Sequence, residues 1–109
     1  AGGVVAPSGA SAVKDNPSAM PSEFTLSQNY PNPFNPKTRI EYALPSSDHV
    51  KLHVYDHLGR LVDTIVDEMQ NASTYSVQYD ASHLASGIYF YTLRVGSDVV
   101  QTRKMMLLK

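Results

Sequence analysis

The four histidines come first, because imidazole nitrogens bind zinc and move protons near neutral pH. His49, His53 and His57 share parity and would point to one face of an extended strand. Along such a strand His49 and His53 lie about 13 Å apart. One zinc ion holds its nitrogens at roughly 2.0–2.1 Å, so these two cannot share it without a bend. The spacing therefore predicts solvated histidines on a polar face. Ser82-His83 and Ser86 near Asp80 supply the residue types of a nucleophilic triad, but triad members converge from separate parts of a chain. No Gly-x-Ser-x-Gly elbow is present. Asp80 and the serines read instead as turn formers that bond loop amides. Asp63, Asp67 and Glu68 read as flanking an exposed loop with no cleft, which favours solvated charge over a glycosidase pair. Asp56, with Gly59 behind it, reads as a turn former rather than a calcium ligand. No catalytic residues, metal site or cofactor are expected.

The aromatics carry a different chemistry. Tyr55 faces outward on its strand, and if Tyr89, Tyr91 and Leu93 are core, Ile88 and Phe90 share the opposite face. A flat exposed pair such as Tyr55 and Phe90 would stack the apolar face of a sugar ring, as carbohydrate-binding modules do. The competing expectation is that Phe90 is covered by a loop or by the N-terminal segment.

The elements that must position these residues are short and β-like. At 109 residues the chain is sized for one domain with a core of modest depth. Its net charge is −1, with no basic run, so it lacks the electrostatic footprint of nucleic-acid binding. There is no cysteine, which excludes disulfide frameworks and thiolate chemistry. Apolar runs are too short for a membrane span, and no basic-then-apolar signal opens the chain. Residues 1–22 are rich in Gly, Pro, Ala and Ser and lack periodicity, the composition of a flexible linker or tail. A linker there implies something attached upstream.

From Glu23 onward, runs of β-branched and aromatic residues alternate with turn signals. Phe24 to Gln28 alternates. Pro31, Pro33 and Pro36 then enforce extended or turn geometry across Tyr30 to Pro36. Arg39 to Leu44 places Ile40, Tyr42 and Leu44 on a buried face, and His49 to Asp56 does the same with Val50, Leu52 and Val54. Asp56-His57-Leu58-Gly59 fits a type I turn with Gly59 at positive φ. Arg60 to Val66 is a strand of unsettled facing, since Leu61 and Ile65 take one parity and Val62 and Val66 the other, so a bulge is plausible. Thr74 to Tyr79 and Ile88 to Val95 alternate again, joined by a compact Asp80 to Gly87 loop with room for one helical turn. A turn at Gly96-Ser97-Asp98 leads to a last strand, Val99 to Leu108. The pattern predicts an all-β fold, a seven-stranded antiparallel immunoglobulin-like β-sandwich over residues 23–109.

Tyr30-Pro31-Asn32-Pro33-Phe34-Asn35-Pro36 followed by Thr38-x-Ile40-x-Tyr42-x-Leu44-Pro45 resembles the type A C-terminal sorting domain of type IX secretion cargo. The match continues through Val50-x-Leu52-x-Val54-Tyr55-Asp56-x-x-Gly59-Arg60-x-Val62 and Ser86-Gly87-x-Tyr89-x-Tyr91-x-Leu93 to Lys104-Met105-x-Leu107-Leu108-Lys109, covering 24–109. It departs at Ala72-Ser73, where members commonly carry Ala-Gly, and at Tyr79, where many have Trp. The resemblance implies a non-catalytic module on a protein exported through the periplasm of a Gram-negative bacterium to the cell surface or medium. Implied partners are outer-membrane proteins of the secretion machinery and a covalently linked cargo domain, such as a glycoside hydrolase or peptidase. The residues expected to carry recognition are Pro31, Pro33, Phe34, Pro36, Gly59, Gly87 and the terminal Lys104, Met105, Met106, Leu107, Leu108 and Lys109. The last strand, at a chain end, is suited to pairing with a sheet edge on a partner. The rival function is a carbohydrate-binding module on a secreted glycoside hydrolase, using Tyr55 and Phe90.

Overall fold

The computed structural model describes residues 21–109, so the reading of residues 1–20 as a linker lies outside the described residues. The described part is built from strands alone. In chain order they are β1 (Thr25–Leu26), β2 (Lys37–Leu44), β3 (Asp48–Asp56), β4 (Leu61–Gln70), β5 (Ser73–Asp80), β6 (Gly87–Val95) and β7 (Asp98–Leu107). They form two antiparallel sheets, one ordered β1-β2-β5 and the other β4-β3-β6-β7. The expected seven-stranded antiparallel sandwich is what the chain adopts.

The period-2 pattern explains why these layers close on each other. Ile40, Tyr42 and Leu44 from β2 face Val50, Leu52 and Val54 from β3 and Tyr91, Leu93 and Val95 from β6, all buried. Met105 and Leu107 of β7 join them with no exposed surface. One flank of the sandwich is sewn shut by long-range polar contacts. The Tyr91 hydroxyl donates to the Ser27 carbonyl at 2.7 Å, and Arg103 Nε donates to the Leu26 carbonyl at 2.6 Å. Burial pushes the Tyr91 phenol up to about 12, so it remains a donor across the physiological range.

Three local expectations change. Asp63, Asp67 and Glu68 do not flank a loop; they lie within β4, which runs on to Gln70. The alternation that hid this is broken by two register shifts against β3, at Leu52/His53 and Val54/Tyr55. The shifts account for the mixed parity of Leu61, Val62, Ile65 and Val66, since each bulge re-aims the side chains after it. The segment between β5 and β6 forms a turn closed by Leu84 N–H on the Ala81 carbonyl, without a helix. His57 sits in the turn expected for Asp56 to Gly59, which takes it off the strand face that parity had given it with His49 and His53.

Candidate functional site

The residues singled out for recognition gather at one end of the sandwich. β3 and β6 pair Asp56 with Tyr89, which puts the Asp56–Arg60 turn beside the start of β6 at Gly87. β6 and β7 pair Gly87 with Leu107, which brings the chain end to the same place. The Tyr30–Pro36 segment completes the cluster. Phe34 forms a parallel bridge to Leu107, with Phe34 N–H donating to the Met106 carbonyl at 3.0 Å and Leu108 N–H donating to the Phe34 carbonyl at 3.0 Å.

Side chains tighten this junction between the Pro-rich segment and the last strand. Asn32 Oδ1 accepts from Met106 N–H at 3.0 Å, and Gln28 Nε2 donates to the Lys104 carbonyl at 2.7 Å. Lys109 reaches the β5–β6 loop, its N–H on Ser86 Oγ and its Nζ on the Ser82 carbonyl. Beneath lies a buried polar knot: Asn29 Nδ2 donates to Thr38 Oγ1 at 3.0 Å and to the Pro31 carbonyl at 3.1 Å, and Thr38 Oγ1 donates to that carbonyl at 2.9 Å. Asn29 and Thr38 are both buried, so the knot fixes the path of a segment whose prolines offer no ladder donors. The Tyr30–Pro31, Asn32–Pro33 and Asn35–Pro36 peptide bonds are cis.

Exposure divides the set. Phe34, Met105 and Leu107 are core residues, Pro36, Gly87 and Met106 are partly covered, and Pro31, Pro33, Gly59, Lys104, Leu108 and Lys109 are exposed. Tyr30, which the sequence did not mark as a contact residue, is 73% exposed. It walls an open cleft of about 420 Å³ shared with Pro31, Lys37, Thr38, Arg39, Ser76 and Gln78. A bridge to Arg39 sets Tyr30 beside β2, a pairing that no alternation pattern in the sequence signals.

The turn at this end behaves as its residues require. Asp56 Oδ1 accepts from the Leu58 and Arg60 amides, each at 2.9 Å, and Oδ2 accepts from Arg60 Nε at 2.8 Å. Gly59 takes φ 84°, with its N–H on the Asp56 carbonyl. The Arg60 amide, helped by the Arg60 side chain and the Leu58 amide, holds the Asp56 carboxyl below the usual range against the effect of its partial burial. Asp80 likewise accepts from the Ser82 amide as a turn former.

The other candidate residues are dispersed. Ser82 and His83 do not meet Asp80 in a triad geometry; His83 Nε2 instead contacts Asp63 Oδ2 at 2.9 Å, the same oxygen that accepts the Tyr79 hydroxyl. His49 pairs with Asp67 on the outer face of the four-stranded sheet. Tyr55 and Phe90 are direct cross-strand partners on that face, both partly covered, with Leu61 and Lys104 continuing the row.

The comparisons with known proteins agree with this architecture. A family model described as "Secretion system C-terminal sorting domain" matches residues 28–108. No curated protein matches the sequence. Among solved structures, dimeric latent PorU from Porphyromonas gingivalis is similar over 81% of this chain, with a TM-score of 0.64 and 18% identity. The chain matches only 10% of that structure's length, and a likeness at this identity speaks to the fold.

Proposed function

The chain belongs to the family of secretion system C-terminal sorting domains, and we propose that it addresses a covalently linked cargo across the outer membrane for surface anchoring or release. The observation that supports this most directly is the junction at one end of the sandwich, where the Pro-rich segment and the terminal strand make one continuous surface. A receptor that reads that surface reads two distant stretches of chain at once, and therefore reads whether the domain has folded. Partners under this reading are secretion-machinery proteins of the outer membrane and an upstream cargo such as a glycoside hydrolase or peptidase. Exposed Tyr30, Pro31, Pro33, Leu108 and Lys109 supply the contact side chains, while Phe34, Pro36, Gly59, Gly87, Met105 and Leu107 hold the surface in shape.

The test is export of a fluorescent reporter bearing a signal peptide and fused ahead of residues 1–109 in a type IX-competent bacterium. Reporter should reach the surface or medium, and should stall in the periplasm when the machinery is disabled. Leu108→Ser, at an exposed position, should reduce export without changing the melting temperature of the isolated chain. Export that ignores the loss of the machinery would overturn the reading.

A second reading rests on the Tyr55–Phe90 row, which gives the outer face of the four-stranded sheet an apolar strip of the kind that stacks sugar rings. Retention on insoluble polysaccharide, lost in a Tyr55→Ala, Phe90→Ala double variant, is its test.

A further inference from the structure

Three long strands lie at sheet edges, and two of them are protected. The outer side of β7 is occupied between Lys104 and Leu108 by the Gln28–Phe34 segment. β4 is bent by its two register shifts and carries Asp63, Asp67 and Glu68, which are features that discourage further pairing. β5 has no such protection. It pairs with β2 over eight consecutive residues without a shift, contains neither proline nor lysine, and bears a charge only at its last residue, Asp80. In an antiparallel ladder, alternate N–H and C=O groups of an edge strand point away from its partner. Among the described residues, none of those groups between Ser73 and Tyr79 makes a backbone hydrogen bond to anything but β2.

The flank next to this edge is only partly closed. Opposite the sewn-together β1 and β7, the sheets end in β5 and β4. Val62, Ile65 and Val66 of β4 and Tyr75 and Val77 of β5 pack on the core but stay partly exposed. Glu68, Val66 and Asp63 are paired with Val50, Leu52 and Val54, whose side chains are buried. Cross-strand partners share a face, so these three also point toward the opposing sheet. The inward row of β4 therefore reads carboxylate, valine, carboxylate opposite alternate residues of β3, with the first register shift placing one extra residue between Val66 and Asp63. Glu68 accepts from Gln70 Nε2 but forms no ion pair among the described residues, whereas Asp63 already meets the Tyr79 hydroxyl and His83, so Glu68 offers the less compensated charge.

We propose that the free edge of β5 receives an extended strand from a partner polypeptide, in which an inward apolar side chain is flanked two residues away on each side by lysine or arginine. Backbone pairing to β5 would supply register, and the apolar residue would cover Val66 and its neighbours. The basic residues would meet the carboxylates of Glu68 and Asp63 across the seam. Such a strand would give the three-stranded sheet a fourth member above β4. This assignment is independent of the sorting role, because it concerns the flank of the sandwich rather than the end where the chain terminus lies.

The probe is the synthetic peptide acetyl-Val-Thr-Lys-Thr-Val-Thr-Lys-Thr-Val-amide, added at millimolar concentration to the full 109-residue chain, with residue-resolved amide hydrogen exchange as the readout. Alternate amides of Ser73–Asp80 should exchange about tenfold more slowly with the peptide present, while those of β4 and β7 stay unchanged. Replacing both probe lysines with glutamate should abolish that protection. Protection that falls on β4, on β7 or nowhere would overturn the edge assignment. Equal protection by the two peptides would overturn the charge match.

Discussion

Phe34→Ala separates the structural role of the Pro-rich segment from its surface role. The Phe34 ring is 2% exposed and belongs to the same core as Met105 and Leu107. An aromatic side chain of this kind buries roughly 150–200 Å², which at about 25 cal/mol per Å² corresponds to ~4 kcal/mol, and the alanine Cβ retains ~1 of it. The expected loss is therefore about 3 kcal/mol, at the lower end of measured phenylalanine-to-alanine changes in cores. Urea unfolding of the purified chain, analysed at constant m, gives the number directly. The structure adds a local signature. Phe34 N–H and C=O bond Met106 and Leu108, so the Leu108 amide should lose exchange protection by more than the global destabilisation requires, while amides at the β2–β5 pairing lose only the global amount. A loss below about 1 kcal/mol, or uniform loss of protection, would refute the claim that this ring anchors the terminal strand.

Three further outcomes follow from the same contacts. Gly59→Ala should cost about 1 kcal/mol in chemical denaturation, because φ 84° disfavours a side chain while nothing lies within 4 Å of the added methyl; Gly59→Asn should cost less. Thr38→Val removes the hydroxyl that joins Asn29 to Pro31 and should destabilise by about 1–2 kcal/mol, with Thr38→Ser recovering much of that. Because the folded Asp56 carboxyl is held below its ordinary value of 3.8, the stability it contributes is fully present above that value and is lost as the pH falls through the lowered one. Melting temperatures recorded from pH 6 down to about 2 should fall less steeply in Asp56→Asn than in the parent, and identical slopes would count against the Asp56–Arg60 turn as the cause.

Most of the fold was legible because its strands are buried on one face. β2, β3 and β6 each write their inward residues at a period of two, and the Pro, Gly and Asp signals between them mark the turns that form. β4 resisted for a physical reason: two bulges shift parity within one strand, so Val62, Ile65 and Val66 all turn partly inward and no single alternation describes them. The extension of β4 to Gln70 was hidden because that end is held by paired backbone and by polar side chains, such as the Gln70 amide that accepts from the Tyr42 hydroxyl. The residues of the candidate site were chosen from the sequence, but their convergence was not visible there. The parallel bridge between Phe34 and Leu107 joins residues far apart in the chain, and only the register of β6 with β7 brings them together.

That convergence bears on how any signal in the last strand should be dissected. Met105 and Leu107 have no exposed surface, whereas Leu108 is 51% exposed and Lys104 and Lys109 are exposed as well. Deleting Met105 to Lys109 would remove two core side chains, unpair Gly87 to Tyr89 and release Phe34 from its backbone partners. Loss of export after that deletion would report unfolding as readily as lost recognition. A partner that touches the folded domain meets Leu108, Lys109, Tyr30 and the exposed prolines; the alternate positions Met105 and Leu107 determine whether those residues stand together. The discriminating comparison is therefore between substitutions on the exposed set, which leave the core contacts intact, and Phe34→Ala, which leaves every exposed side chain in the sequence but loosens their common support. If sorting reads the assembled surface, both should lower export, and only the second should also lower the unfolding midpoint. If it reads a linear terminal peptide, Phe34→Ala should export as well as the parent, and the junction between the two segments would then be structural alone.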